Sequence, residues 1–211
     1  MIAYLDQEGT DDDEITEKSH GGGHGLVLCL KNAAIEVKWS TNTSSQAYTG
    51  NAFVTDVAGL TRTTGVSGYS ATNALASDAT TYPAAAAAKS YTGLTAPAGT
   101  TGWFLPSAQQ WVKMQTGLGG LSESSIVWNS WFDNSHTAAD KWEAALSKAG
   151  YGNYDSITRY HYYLSSSEYS ALNAVTLGID GRSTGTGYGF LWHISTKNLS
   201  NNINVRPILA F

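Results

Sequence analysis

Y-Y-L-S-S-S-E-Y-S (residues 162–170) and N-V-R-P-I-L-A-F (residues 204–211) bracket the last fifty residues of this 211-residue chain, and their reading decides the fold. Between them, alternation of apolar and polar positions predicts a strand over residues 174–179 and an aromatic strand over 190–195, joined by a Gly/Ser/Thr connection. In the second strand Phe190, Trp192 and Ile194 face one way and Leu191 and His193 the other, since side chains alternate across a strand. A polar, Asn-rich bend follows at residues 196–202. After Arg206 the closing run contains no polar residue. Such a run belongs in the core, because chain ends fray unless they are tied down.

Upstream, G-W-F-L-P-S-A-Q-Q-W (residues 102–111) carries the clearest helix start. Ser107 suits the N-cap, Gln110 completes a capping box three positions later, and Pro106 and Trp111 occupy the staple positions. This helix is expected over residues 108–115, ending in T-G-L-G-G. A second begins after Thr137, with Asp140 at the box position, and lines up Ala138, Trp142, Ala145, Leu146 and Ala149 before Gly150. Trp103, Trp111 and Trp142 therefore read as core. Residues 70–77 and 83–90 also read as helices, the latter from Pro83 in the first turn and a run of alanines. Residues 2–5 and 26–30 read as strands, 35–39 as a short extended piece, 40–66 as mostly loop and 93–102 as a turn-rich connector.

Together these three motifs resemble a bacterial surface-protein family of C-type-lectin-like fold, whose usual wording is close to W-S-S-T-E and a terminal V-R-P-V-R-A-F. The L-P-[ST]-x-x-x-W element is also similar to that of formylglycine-generating-enzyme-like domains, which share the fold. The likeness runs from about Leu26 onward. It implies a single α+β domain over residues 1–211, with a small twisted antiparallel sheet braced by two main helices, and long loops. Its N- and C-terminal strands would lie close, and residues 1–25 would form a strand and an acidic, Gly-rich loop. Members of this fold group are displayed on pili, lipoproteins or phage tails. Some are variable proteins whose ligand loops are altered by diversity-generating retroelements.

Composition narrows the function. Hydrophobic residues make up 42% of the chain, enough for a core. Charged residues make up only 14%, against the usual quarter, so Ser, Thr, Gly, Asn and Tyr carry the surface, as in paratopes. A net charge of -5 leaves no footprint for nucleic acid or an anionic membrane. Cys29 is the single cysteine, which excludes an intrachain disulfide and reads as a small buried hydrophobe. No stretch reaches the length of a membrane span, and no secretory leader is legible. Either a domain cut from a longer exported surface protein or a virion part fits.

Most reactive chemistries lack a partner. The acids of residues 11–14 are contiguous and miss the spaced pattern of a calcium loop, so a solvated loop is expected and no metal. H-G-G-G-H (residues 20–24) matches the wording of an esterase oxyanion hole, but no G-x-S-x-G elbow accompanies it; it reads as a turn. G-T-G-Y-G (residues 185–189) precedes a strand rather than a helix, which makes it a hairpin loop. A glycosidase needs two carboxylates across a cleft, and nothing places two of Glu168, Asp155 and Asp180 together. The resemblance makes Glu168 structural, buried and bonded to backbone N–H groups or to Arg206. The paired cysteines of formylglycine-generating enzymes are missing, as are the E-P-N or Q-P-D and W-N-D motifs of calcium-dependent lectins. No cofactor is expected.

What remains is a surface. By resemblance, the segment between the two brackets supplies the ligand contacts. On its strands and hairpin these are Asn173, Asp180, Arg182, Tyr188, Trp192 and His193. On the bend they are Lys197, Asn198, Asn201 and Asn202. Taken singly, His193 reads as a surface or hydrogen-bonded histidine. Trp128 and Trp131 fit either loop anchors or ligand platforms. The asparagines are compatible with a retroelement-diversified segment. The expectation is a non-enzymatic adhesin or receptor-binding module contacting protein or glycan on another cell or surface. The rivals are a hydrolase using Glu168 or His193 and a structural subunit whose loops bind nothing.

Overall fold

The computed structural model describes residues 1–6, 24–42, 68–122, 126, 135–157, 161–181 and 188–211. Among these, four helices and two sheets form a mixed α+β architecture. The first sheet joins distant parts of the sequence. β1 (Ile2–Asp6) pairs antiparallel with β2 (His24–Leu28), whose other edge takes β7 (Ile208–Ala210), also antiparallel. Leu26 and Leu28 face inward with Ile208 and Ala210, all buried, so the apolar closing run enters the core as its composition requires. Phe104 bridges Ile208 on the far side of β7.

The second sheet runs β5-β4-β3-β6. It contains β3 (His161–Glu168), β4 (Asn173–Gly181), β5 (Tyr188–Thr196) and β6 (Ile203–Asn204). β3, β4 and β5 are antiparallel neighbours, whereas β6 runs parallel to the start of β3. β3 is the element that sequence reading left unassigned. Its Ser165, Ser166 and Ser167 belong to a residue type that favours turns, yet all three are buried. Small side chains let two indoles approach this strand: Trp39 donates to the Ser165 carbonyl at 2.8 Å and Trp111 to that of Leu164 at 3.1 Å. The Ser165 hydroxyl donates to the Val175 carbonyl at 2.7 Å, and Ser167 Oγ accepts from the Ala108 amide at 3.0 Å.

The helices are α1 (Gly68–Leu75), α2 (Pro83–Lys89), α3 (Ala108–Gly117) and α4 (Ser135–Gly150). α3 starts with the expected capping box, Ser107 and Gln110 bonding each other's backbone amides. α4 starts at Ser135, upstream of the expected Thr137, so Asp140 is not its box residue. No Gly or Pro lies between Ser135 and Thr137 to delay the helix. The extended piece expected at residues 35–39 does not form; an isolated bridge between Ala34 and Val205 precedes it. There the left-handed Glu36, at φ 52, breaks the run.

Trp111 and Trp142 stack at 6.0 Å between centroids, and Trp142 meets Phe190 edge-on at 5.0 Å, forming the main core between α3, α4 and one face of the second sheet. A second core covers part of the opposite face. It is built from Trp39, Leu75 and the α2 alanines against Leu164, Ala174 and Ile203. Trp103 departs from the expected core role: it is half-buried and stands beside the first sheet, its Nε1 donating to the Leu94 carbonyl at 2.7 Å. Cys29 is buried as expected, and burial raises its thiol pKa.

Candidate functional site

The open part of the second sheet's outer face is built by period-two alternation. Thr176 and Gly178 on β4 stand opposite His193 and Leu191 on β5, and Tyr162 on β3 stands opposite Gly178. Gly178 is required here because a Cβ at this position would lie 2.8 Å from Cε1 of Tyr162. The Tyr162 ring thereby settles beside His193, 5.2 Å away and tilted by 49°. Below them the hydroxyls of Thr176 and Ser195 share a 3.1 Å bond, and His193 Nδ1 lies 3.4 Å from Ser195 Oγ. Half-burial holds the His193 pKa below its ordinary value, so the ring is neutral near pH 7.

Two turns flank this face. The Ser170 hydroxyl accepts from the Leu172 and Asn173 amides and from the Asn173 side chain, fixing the β3–β4 turn. The Lys197 amide donates to the Leu172 carbonyl at 3.0 Å, locking the bend after β5 against that turn. The result exposes Leu172 by 53% and Leu199 by 42%, with Asn198, Asn201 and Asn202 exposed beside them. Sequence reasoning missed both leucines. Their signal is the isolated apolar residue inside a polar turn.

The proposed contact residues divide sharply. Asn198, Asn201 and Asn202 are exposed, and Asn173 and His193 are half-buried. Trp192 is wholly buried, its Nε1 donating to Gln115 Oε1 at 3.2 Å, so it is a core residue and not a ligand platform. Lys197 is a second correction: it is wholly buried, hydrogen-bonded to Glu168 and 4.8 Å above the Trp39 ring. Asp180 lies on β4 opposite Gly189, and Tyr188 lies on β5 opposite Gly181. Arg182, Trp128, Trp131 and the acidic residues 11–14 fall outside the described residues.

Glu168 is buried as expected, but its cation is Lys197 and not Arg206. Topology explains the exchange. Glu168 ends β3 near the Asn173–Thr196 pair, one residue from Lys197, whereas Arg206 follows β6 at the opposite end of β3. Buried Arg206 instead ties two loops together. Nε donates to Asn32 Oδ1 at 2.8 Å, Nη1 to the Cys29 and Leu30 carbonyls, and Nη2 to that of Asp155 at 2.6 Å.

Two other carboxylates are committed to structure. Asp155 accepts from Lys31 and the Asn32 amide, and Glu143 from Tyr154, Ser156 and the Ile157 amide. Among the described residues no group of three His, Cys, Asp or Glu could hold a metal ion, and no helix is long and apolar enough to cross a membrane. The arrangement can offer apolar contact, an aromatic edge, amides and a neutral imidazole to a ligand. Comparison with known proteins finds no matching family model, no matching curated protein and no matching solved structure.

Proposed function

We propose that this chain is a non-enzymatic recognition module of C-type-lectin-like fold, the binding head of a bacterial surface or pilus protein or of a phage tail. It contacts protein or glycan through the outer face of the second sheet and the two turns beside it. One observation carries the reading. Exposed Leu172 and Leu199, interspersed with Asn198, Asn201 and Asn202, stand over a floor whose buried charges and indoles are bonded within the fold. Apolar anchors among adaptable amides suit recognition, and a fixed floor limits the entropy lost on binding.

The test is a variant carrying Asn198→Ala, Leu199→Ala and Asn201→Ala together. All three side chains are exposed, so the melting temperature should stay within about 2 °C of the parent. Binding to a glycan array and a panel of cell-surface proteins should vanish. Unchanged binding would move the contact surface elsewhere. Turnover of a hydrolase substrate that disappears in a folded Glu168→Gln variant would replace recognition with catalysis.

A further inference from the structure

A cavity of about 610 Å³ opens on the outer face of the first sheet and shares no lining residue with the proposed recognition face. Its floor is Val27 and Leu209, register partners on β2 and β7, together with Phe211. Residues 94–103 form a wall beside this floor, presenting Leu94, Pro97 and Trp103. Ile2 stands exposed at the rim. No charged side chain lines the space.

The wall is held by its own bonds. Left-handed Gly99 and Gly102 turn the chain, and the Thr100 hydroxyl donates to the Pro97 carbonyl while accepting from the Gly102 amide. Thr101 exchanges bonds with Ala210 on the edge of β7. Trp103 donates to the Leu94 carbonyl, and its ring is fixed edge-on to Tyr91 at 6.0 Å. The indole N–H and the Thr100 hydroxyl therefore already have partners. Thr95 is the other polar side chain in the lining, and the rest of what faces the space is mostly apolar.

We propose that this cavity binds a small uncharged hydrocarbon-rich molecule, a medium-length aliphatic chain or a fused-ring compound. Size decides against smaller occupants. An apolar cavity of about 150 Å³ takes a benzene ring, so one aromatic side chain from a partner would leave most of this space empty. The volume lies inside the range of about 300–1,000 Å³ typical of small-molecule pockets. Depth decides against a membrane: Ile2, Leu94 and Pro97 are exposed around the mouth, but Leu209 at the base is buried and Val27 and Phe211 are half-buried, so a bilayer resting on the mouth would leave the base uncovered. Charge decides against fatty-acid carboxylates, since the lining holds no cation to meet one.

The experiment titrates the whole chain with N-phenyl-1-naphthylamine, an uncharged fluorescent probe, and then competes it with 1-decanol or decanoate. Saturable one-to-one binding, displaced by decanol and about tenfold less well by decanoate, is expected. Quenching of indole emission by the probe should shrink in Trp103→Phe. Ala98→Trp fills the space from an exposed position, and Leu94→Asp places a charge at its mouth. Each should weaken the probe at least about tenfold in a folded protein. The triple variant of the recognition face should bind it unchanged, so the two readings fail separately. No saturable binding, equal affinity in both filled and charged variants, or co-sedimentation with phosphatidylcholine vesicles in place of decanol binding would overturn the proposal.

Discussion

Replacing Lys197 by methionine tests whether the bend after β5 is a contact surface or a structural tie. The ammonium is wholly buried, hydrogen-bonded to Glu168 and set over the Trp39 ring. Methionine keeps most of the stem's volume but leaves the Glu168 carboxylate buried without its lysine. Removing one partner of a buried pair costs about 3–5 kcal/mol. In a chain of this length each kcal/mol moves the melting temperature by about 2–4 °C, so a fall of about 6–20 °C is expected. Glu168→Leu should cost a similar amount, because it leaves the cation buried instead. The double variant Glu168→Leu/Lys197→Met should recover most of the loss, since apolar replacements of buried ion pairs are often neutral. Denaturant midpoints at unchanged slope give the coupling energy. Single costs below about 1 kcal/mol, the level of an exposed pair, would refute the reasoning. Strictly additive costs would refute it too.

Three further outcomes follow from the same geometry. Arg206→Met removes bonds to Asn32 and to three backbone carbonyls, each bond of this kind being worth about 1.5–3 kcal/mol, so unfolding at room temperature in mild denaturant is expected. Because the folded His193 pKa is depressed, the unfolded chain takes the proton first. Its contribution to stability is complete above the ordinary value of 6.5 and is lost as pH falls; His193→Gln should flatten melting temperature against pH as pH falls through and below that value. Gly178→Ala drives a methyl into the Tyr162 ring and toward the Leu191 carbonyl, at 2.8 Å and 3.2 Å. A loss of about 1–3 kcal/mol with displacement of the ring from His193 is expected, checked by melting and by tyrosine ring NMR shifts.

Local signals carried much of the fold. The Ser107–Gln110 box, the alanine run after Pro83 and the alternation through Phe190 and Trp192 each name an element that forms, because each rests on neighbours in sequence. β3 was not legible, since what makes Ser165, Ser166 and Ser167 a strand is the approach of Trp39 and α3 from 50 or more positions away. The surface was half legible. Alternation already set Trp192 and His193 on opposite faces, so they cannot both meet one ligand, and the buried indole shows which face is interior. Lys197 shares the parity of Leu191 and His193, but it sits where Trp39 closes over the sheet, a tertiary contact that no spacing announces.

The pairing of β2 with β7 has a consequence for the nascent chain. Leu28 and Ile208 are partners about 180 positions apart, and β2 is the middle strand of its sheet. While the ribosome is still extending the polypeptide, that middle strand lacks one of its neighbours, and Leu26 and Leu28 have no lid. Closure of so long a loop comes late and slowly. A stalled or clipped product lacking β7 would therefore show chaperones a sticky half-sheet.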